Sequence, residues 1–444
     1  KISQHLGEAV RYRTVSYSDP SQFDYEIFAD YHQFLSRTYP NVHKQLAKEV
    51  INGYSLLYTW EGSDPSLDPY LLMGHIDVVP VEPGTESSWT YPPFEGCIED
   101  GYIWGRGTLD CKATVLGILE AVESLLETGY KPRRTVYLAF GHDEEVSGLN
   151  GAKQIADYLQ VKGVKLAYVL DEGLAVVEGV VSIVSRPIAM IGVAEKGYLS
   201  IELIAEVPGG HSSMPGKKNA IGVLSSALQR LERHPMPAHL RKPAQDMFRY
   251  LAPETSGLLR TILSNQGLFR PLLLKILSVS PAMNASVRTT IVPTIFHSGV
   301  KDNILPNQAK AVVNSRILPG DTIEDVVDHI KNVVSDPLVQ VRLLEQFQAN
   351  PSPVSDCDSH SFNILADTVR SVFPNAAVAP SLVVGATDSR HYVSLTSNGY
   401  RFSPLVLKKE DLSRIHGTNE RISVENYEQA VKFYGDLILR SDTL

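Results

Sequence analysis

The chain is poor in the features that mark several large classes of protein. It has three cysteines, Cys97, Cys111 and Cys357, in 444 residues. Three cannot build a disulfide framework, and no paired thiolates suggest a structural zinc site. No apolar run reaches the roughly 18 residues that a membrane span needs. Positive charge is not in excess: 41 Lys and Arg stand against 50 Asp and Glu, a formal net charge of -9. That argues against a nucleic-acid footprint. The G-x-S-x-G of a serine hydrolase elbow is missing, so Ser212 and Ser213 are not read as nucleophiles. The GRG at Gly105–Gly107 lacks the further glycine and helix context of a phosphate loop. No internal repeat or low-complexity segment is evident. The opening KISQHLGEAVRYRTVS is polar and helix-like, unlike a secretory leader. The first residue is not Met, so location stays open. The one sequon, Asn284-Ala285-Ser286, is of a kind that arises by chance.

What is present is an ordinary globular composition, 43% hydrophobic and 20% charged, on a chain long enough for two domains. In the first half, YLLMGH, TVYLAFG and LAYVLDEG read as buried strands. ATVLGILEAVESLLETG and GAKQIADYLQVKG carry apolar residues at helical spacing. Such alternation predicts an α/β layer with a mixed, mainly parallel sheet. After Lys196 the pattern changes. YLSIELIAEV and QAKAVVNSRIL alternate apolar and polar residues, as half-exposed antiparallel strands do. We expect a catalytic domain in two segments, 1–196 and 346–444, interrupted by an inserted α+β domain at 197–345.

The chemistry sits at the predicted strand ends, where ligand sites of α/β folds collect. PYLLMGHIDVVP ends a buried strand in His75 and Asp77. GYIWGRGTLDCK gives Asp110, VYLAFGHDEEVSG gives Asp143, Glu144 and Glu145, AYVLDEG gives Asp171 and Glu172, and SRIHGTNE gives His416. A single such histidine is usually a satisfied core residue, and an isolated Glu pair is usually surface. Several carboxylates at one rim repel one another and lose hydration, which a divalent cation relieves. Imidazole with carboxylate points to zinc. His75, Asp110, Glu145, Asp171 and His416 supply enough ligands for two Zn2+ ions sharing one bridging carboxylate. Asp77, two residues along an extended segment from His75, points the same way and accepts its second N–H. Glu144, adjacent to a ligand but pointing elsewhere, is the candidate general base.

These motifs, in this order, resemble the dizinc aminoacylase and carboxypeptidase superfamily over nearly the whole chain. Within it, GSDPSLDPYLLMGHIDVVP, KPRRTVYLAFGHDEEVSG and RIHGTNERISVENYEQAVKF are most similar to the secreted N-fatty-acyl-amino acid synthase/hydrolase branch. The resemblance implies that Asp110 bridges two Zn2+ ions, that His75 and Asp171 complete one site and that Glu145 and His416 complete the other. It implies Glu144 as general base on a zinc-bridging water. It implies a lid and dimerisation role for the inserted domain, hence a homodimer. His211 of PGGHSSMPGKKNA would stabilise the oxyanion, and Asn303 of GVKDNILP would contact substrate. Arg390 of VGATDSRHY would clamp a substrate carboxylate through two parallel hydrogen bonds, with an Arg390–Asp388 structural pair as the alternative. The residue after the bridging Asp is usually a second Asp; here it is Cys111, and the peptide bond at that step is often cis.

The expected reaction is hydrolysis, and reversible formation, of the amide bond of N-fatty-acyl amino acids. The alternative is carboxypeptidase S-like release of C-terminal amino acids from peptides. In both cases the partner is a small molecule. A third reading, a metal-free relative acting as a binding protein, is opposed by the intact ligands and the intact Glu144. The leucine-rich tract Leu258–Leu277 would either line an acyl pocket or form the inserted domain's own core. The resemblance implies secretion; a vacuolar, periplasmic or cytoplasmic location is the alternative.

Overall fold

The computed structural model describes residues 1–180, 183–344 and 347–443. Its largest element is an eight-stranded mixed sheet. In spatial order the strands are Ala47–Ile51, Ser55–Trp60, Val136–Gly141, Tyr70–His75, Val169–Glu178, Gly399–Lys408, Ile188–Glu195 and Ala377–Val383. The central four, from Val136–Gly141 to Gly399–Lys408, run parallel. Tyr70–His75 is buried along its whole length, as an unbroken apolar run in a covered parallel sheet requires. Helices Lys112–Glu127 and Val424–Ser441 pack together over one face, burying Leu116, Leu119, Phe433 and Leu437 in the main core. The strand ends that carry His75 and lead to Glu144 therefore open on the same rim, whereas Asp171, expected at a strand end, lies inside the longer strand Val169–Glu178.

A second sheet has four antiparallel strands in the order Thr290–Ser298, Gln308–Ile317, Gly197–Glu206 and Val339–Leu343. Gln308–Ile317 alternates half-buried and buried residues without a break, so one face meets a core and the other does not. Helices Ala220–Arg233 and Ile323–Val334 close that core. Thr322 caps the latter with a reciprocal capping box to Asp325.

The leucine tract forms the helices Gly257–Ser264 and Gln266–Leu277. Leu263, Leu273 and Leu277 are buried in one cluster with Leu240, Met247, Phe248 and Leu251 of the stretch before them and with Val177, Ile188, Ala377 and Ala379 of the large sheet, separate from the core under the four-stranded sheet. Ala377–Val383 is the last strand of the large sheet, and it is buried throughout. Helix Lys242–Leu251, just before the tract, packs along that strand and covers a sheet edge that would otherwise be open to pairing. Leu258, Leu268, Leu272 and Ile276 instead face solvent.

Candidate active site

Asp110 lies in the loop between strand Tyr102–Trp104 and helix Lys112–Glu127. Its Oδ1 is 2.9 Å from His75 Nε2 and its Oδ2 is 3.0 Å from His416 Nε2. His416 Nε2 is also 3.2 Å from Glu145 Oε2. Three groups of donor atoms fall within 4.8 Å of one another here: His75 with Glu144 and Glu145, Asp110 with Glu145 and His416, and His75 with Asp110 and Cys111. Residues spread over 342 positions of sequence, from 75 to 416, thus meet at one point.

Asp77 holds more than the sequence suggested. His75 Nδ1 is 3.0 Å from the Asp77 carbonyl oxygen and 3.3 Å from its Oδ1. The same carboxylate accepts the backbone N–H of Glu144 at Oδ1 and that of Glu145 at Oδ2, each at 3.2 Å, and the Ser16 hydroxyl at 2.7 Å. One fully buried side chain orients a histidine and both glutamates.

One further residue, not singled out from sequence, fixes the loops. Glu420 is fully buried. Its Oε1 accepts the N–H groups of Gly107, Leu109 and Asp110 at 3.0, 2.8 and 3.3 Å, and its Oε2 accepts Arg106 Nη1 at 2.7 Å. Arg106 in turn donates to the carbonyl of His416 at 3.1 Å. The Asp110 loop and the His416 loop are thereby tied to one ion pair. Glu420 stood in the RIHGTNE motif, but nothing in the sequence says what its carboxylate meets. Glu172, next to Asp171, is pushed well above the usual carboxylate range by burial and by the charges of Asp110, Asp171 and Glu145, and it adds to the negative charge around Glu144.

Asp171 is buried at the same rim but outside the three groups. Its Oδ2 accepts the Ser389 N–H at 2.7 Å and its Oδ1 that of Glu172 at 2.8 Å. Ser389 is held by a buried Arg401–Glu195 pair, in which Glu195 Oε1 also accepts the Thr387 N–H at 3.0 Å. Arg390 donates to the Ser147 carbonyl at 2.8 Å and stacks over Phe347. The alternative Arg390–Asp388 ion pair is not formed: both Asp388 oxygens are buried without a hydrogen-bond partner among the described residues. Asp388 packs instead against Gly148, where φ is +65° and a Cβ would sit 1.9 Å from Oδ1, so only glycine fits.

His211 and Asn303 lie together, in the chain between strands Gly197–Glu206 and Gln308–Ile317 of the second sheet. Gly210–His211 pairs with Ile304–Leu305, and Ser212 N–H donates to the Asn303 carbonyl at 3.1 Å. Both residues are exposed, and His211 Nδ1 accepts the Ser213 N–H of its own turn. The structure does not bring either to the Asp110 cluster.

The electrostatics fit a cation site. Burial pushes the Glu144 carboxyl well above its usual range; His75 opposes that shift, and the charges of Asp388, Glu145 and Glu172 add to it. Burial and Asp110 likewise raise Glu145. Burial opposes ionisation of Asp110 too, but hydrogen bonds from His416 and His75 hold it below the ordinary carboxylate range. His416, bonded to Asp110 and Glu145, rises to about 10. Glu145 Oε1 is buried and unpartnered among the described residues. Carboxylates crowded in this way need positive charge, and oxygen and imidazole donors suit zinc. Cys111 follows Asp110 through a cis peptide bond. Its Sγ accepts the His75 N–H at 3.2 Å, and burial pushes the thiol far up, so it packs as a neutral group.

The chain is 46% identical over 447 residues to the N-fatty-acyl-amino acid synthase/hydrolase PM20D1 of Xenopus tropicalis, which takes in 100% of this chain and 86% of that protein. It is 44% identical over 446 residues to the probable carboxypeptidase S-like 2 of Dictyostelium discoideum, covering 100% of this chain and 85% of the relative. Among solved structures, the M20 family metallo-carboxypeptidase Sso-CP2 of Sulfolobus solfataricus superposes with a TM-score of 0.72 at 18% identity, over 100% of both chains, which shows the shared fold. The model of peptidase family M20/M25/M40 matches residues 71–440, from the strand that ends in His75 to the final helix. The chain belongs to that family of hydrolytic, metal-dependent enzymes.

Proposed function

We propose that this enzyme hydrolyses, and under suitable concentrations forms, the amide bond between a fatty acid and an amino acid. The observation that carries a dinuclear hydrolytic centre is the Asp110 fork, one oxygen to each of two histidines, with Glu144 beside it. His75, Asp110, Glu145, Asp171 and His416 would hold two zinc ions. When bound, the pair supplies Lewis acidity toward water and toward the amide oxygen. Glu144, whose raised pKa suits both roles, takes a proton from the attacking water and returns it to the departing amine nitrogen. Asp77 keeps His75 and the Glu144 backbone in place. Arg390, half-buried, presents the guanidinium that would pair with the amino acid carboxylate.

His211 and Asn303 would enter from the inserted domain, His211 donating to the developing oxyanion. Since both are exposed and bonded within their own loops, they reach the centre through domain closure or from a second copy. A homodimer through the inserted domain belongs to the same proposal. Its support is the open edge strand Thr290–Ser298, which exposes Ile295 and Phe296. Secretion is proposed on the resemblance alone; among the described residues no helix is long and apolar enough to cross a membrane.

The acyl amino acid substrate is supported by the 46% identical relative, and the carboxypeptidase reading by the 44% identical one. The deciding assay compares zinc-dependent cleavage of N-oleoyl-phenylalanine with that of N-benzyloxycarbonyl-Gly-Leu. Faster cleavage of the lipid amide is expected. Faster cleavage of the dipeptide would make the enzyme a carboxypeptidase.

A further inference from the structure

We propose that the outer face of the helices Gly257–Ser264 and Gln266–Leu277 docks the enzyme onto an anionic lipid surface. Leu258 is 73% exposed, Leu268 79%, Leu272 43%, Ile276 56% and Val279 82%. Leu268, Leu272 and Ile276 are spaced by four residues and form one stripe along the helix. The opposite stripe, Leu273 and Leu277, is used up in the buried cluster that also holds Met247, Phe248, Leu251 and residues of the large sheet. A surface helix needs only one apolar face, and the second normally turns polar. Here it stays apolar with no partner among the described residues.

Charge says what covers it. From Thr255 to Lys301 the chain has no Asp or Glu but carries Arg260, Arg270, Lys275, Arg288 and Lys301, in a protein of net charge -9. Arg260, Arg270 and Lys275 are exposed on the same two helices, and among the described residues none of them is in an ion pair. Leucines interleaved with unpaired cations are the pattern of a helix lying in a lipid headgroup layer. An anionic surface repels most of this protein and attracts this face, which fixes one orientation. A second copy is the poorer occupant. A two-fold contact would gather the cations of both copies into one interface, with no Asp or Glu between Thr255 and Lys301 to pair them. The proposal rests on this surface alone and holds whether the substrate is a lipid amide or a peptide.

Sedimentation of the full chain with phosphatidylcholine vesicles, with and without phosphatidylserine, tests it. The wild type is expected to pellet with the phosphatidylserine vesicles and far less with phosphatidylcholine alone. The triple variant Leu268→Ser, Leu272→Ser, Ile276→Ser should stay in solution with unchanged elution volume and unchanged hydrolysis of a water-soluble N-acetyl amino acid. The double variant Arg270→Glu, Lys275→Glu, which leaves the leucines in place, should weaken binding to the anionic vesicles by about tenfold or more. Failure of the wild type to bind, or equal binding by wild type and both variants, overturns the proposal. A triple variant that elutes as a smaller species also overturns it, because the face would then join copies of the chain.

Discussion

The two oxygens of Asp110 are divided between His75 and His416, at 2.9 and 3.0 Å, so one carboxylate spans two imidazoles drawn from opposite ends of the sequence. Helix or sheet packing does not require that arrangement. It is what a group shared between two cations looks like, and it makes the surrounding residues testable one at a time.

Glu144→Gln is expected to lower kcat by about 10²–10⁴-fold while the metal content stays at the wild-type level. Glu144 belongs to the His75–Glu144–Glu145 group but not to Asp110–Glu145–His416, and the proposal gives it the role of base and not of ligand, so the amide should leave the five ligands intact. Steady-state kinetics with elemental analysis of the same preparation separates a lost base from a lost metal.

Asp77→Asn should reduce metal affinity or activity by about 10–100-fold. The carboxylate accepts from Ser16, Glu144 and Glu145 as well as facing His75, and an amide cannot accept at both ends. Metal titration by calorimetry reads the effect. Unchanged affinity and rate would reduce Asp77 to a packing residue.

For Glu420→Gln, the expected result is a loss of stability of about 3 kcal/mol, because Arg106 is left buried without its counter-charge. The Glu420–Arg106 pair also ties the Asp110 loop to the His416 loop, so metal should dissociate faster at temperatures where the chain is still folded. Denaturant unfolding and chelator-induced release measure the two effects separately.

Protons compete with metal at this site. In the metal-free chain His416 titrates at about 10, so at neutral pH it must lose a proton to become a ligand. Apparent metal affinity should therefore rise by about tenfold per pH unit between roughly pH 7 and 9 for this one proton. Stability of the metal-free form moves the other way. A histidine whose folded pKa is raised stabilises fully below its unfolded value near 6.5, and that stabilisation is lost as pH climbs through about 10. Competition titrations and thermal melts of the chelated protein over that range check both signs.

The sequence by itself determined the order of elements and the chemistry on offer. Buried apolar runs ending in His75 and Asp171 had to be interior strands, because only a covered sheet accommodates them. The alternating pattern of Gln308–Ile317 had to be a strand with one wet face. Tertiary structure decided which of those groups meet. That His416 lies across Asp110, that Glu420 carries the Asp110 loop, and that Asp77 anchors two backbone amides are contacts over dozens to hundreds of residues, and no local periodicity encodes them. It likewise decided what the leucine tract packs against. Helical spacing shows that a face is apolar, but which groups bury it is set by the fold, here the preceding helix Lys242–Leu251 together with residues of the large sheet.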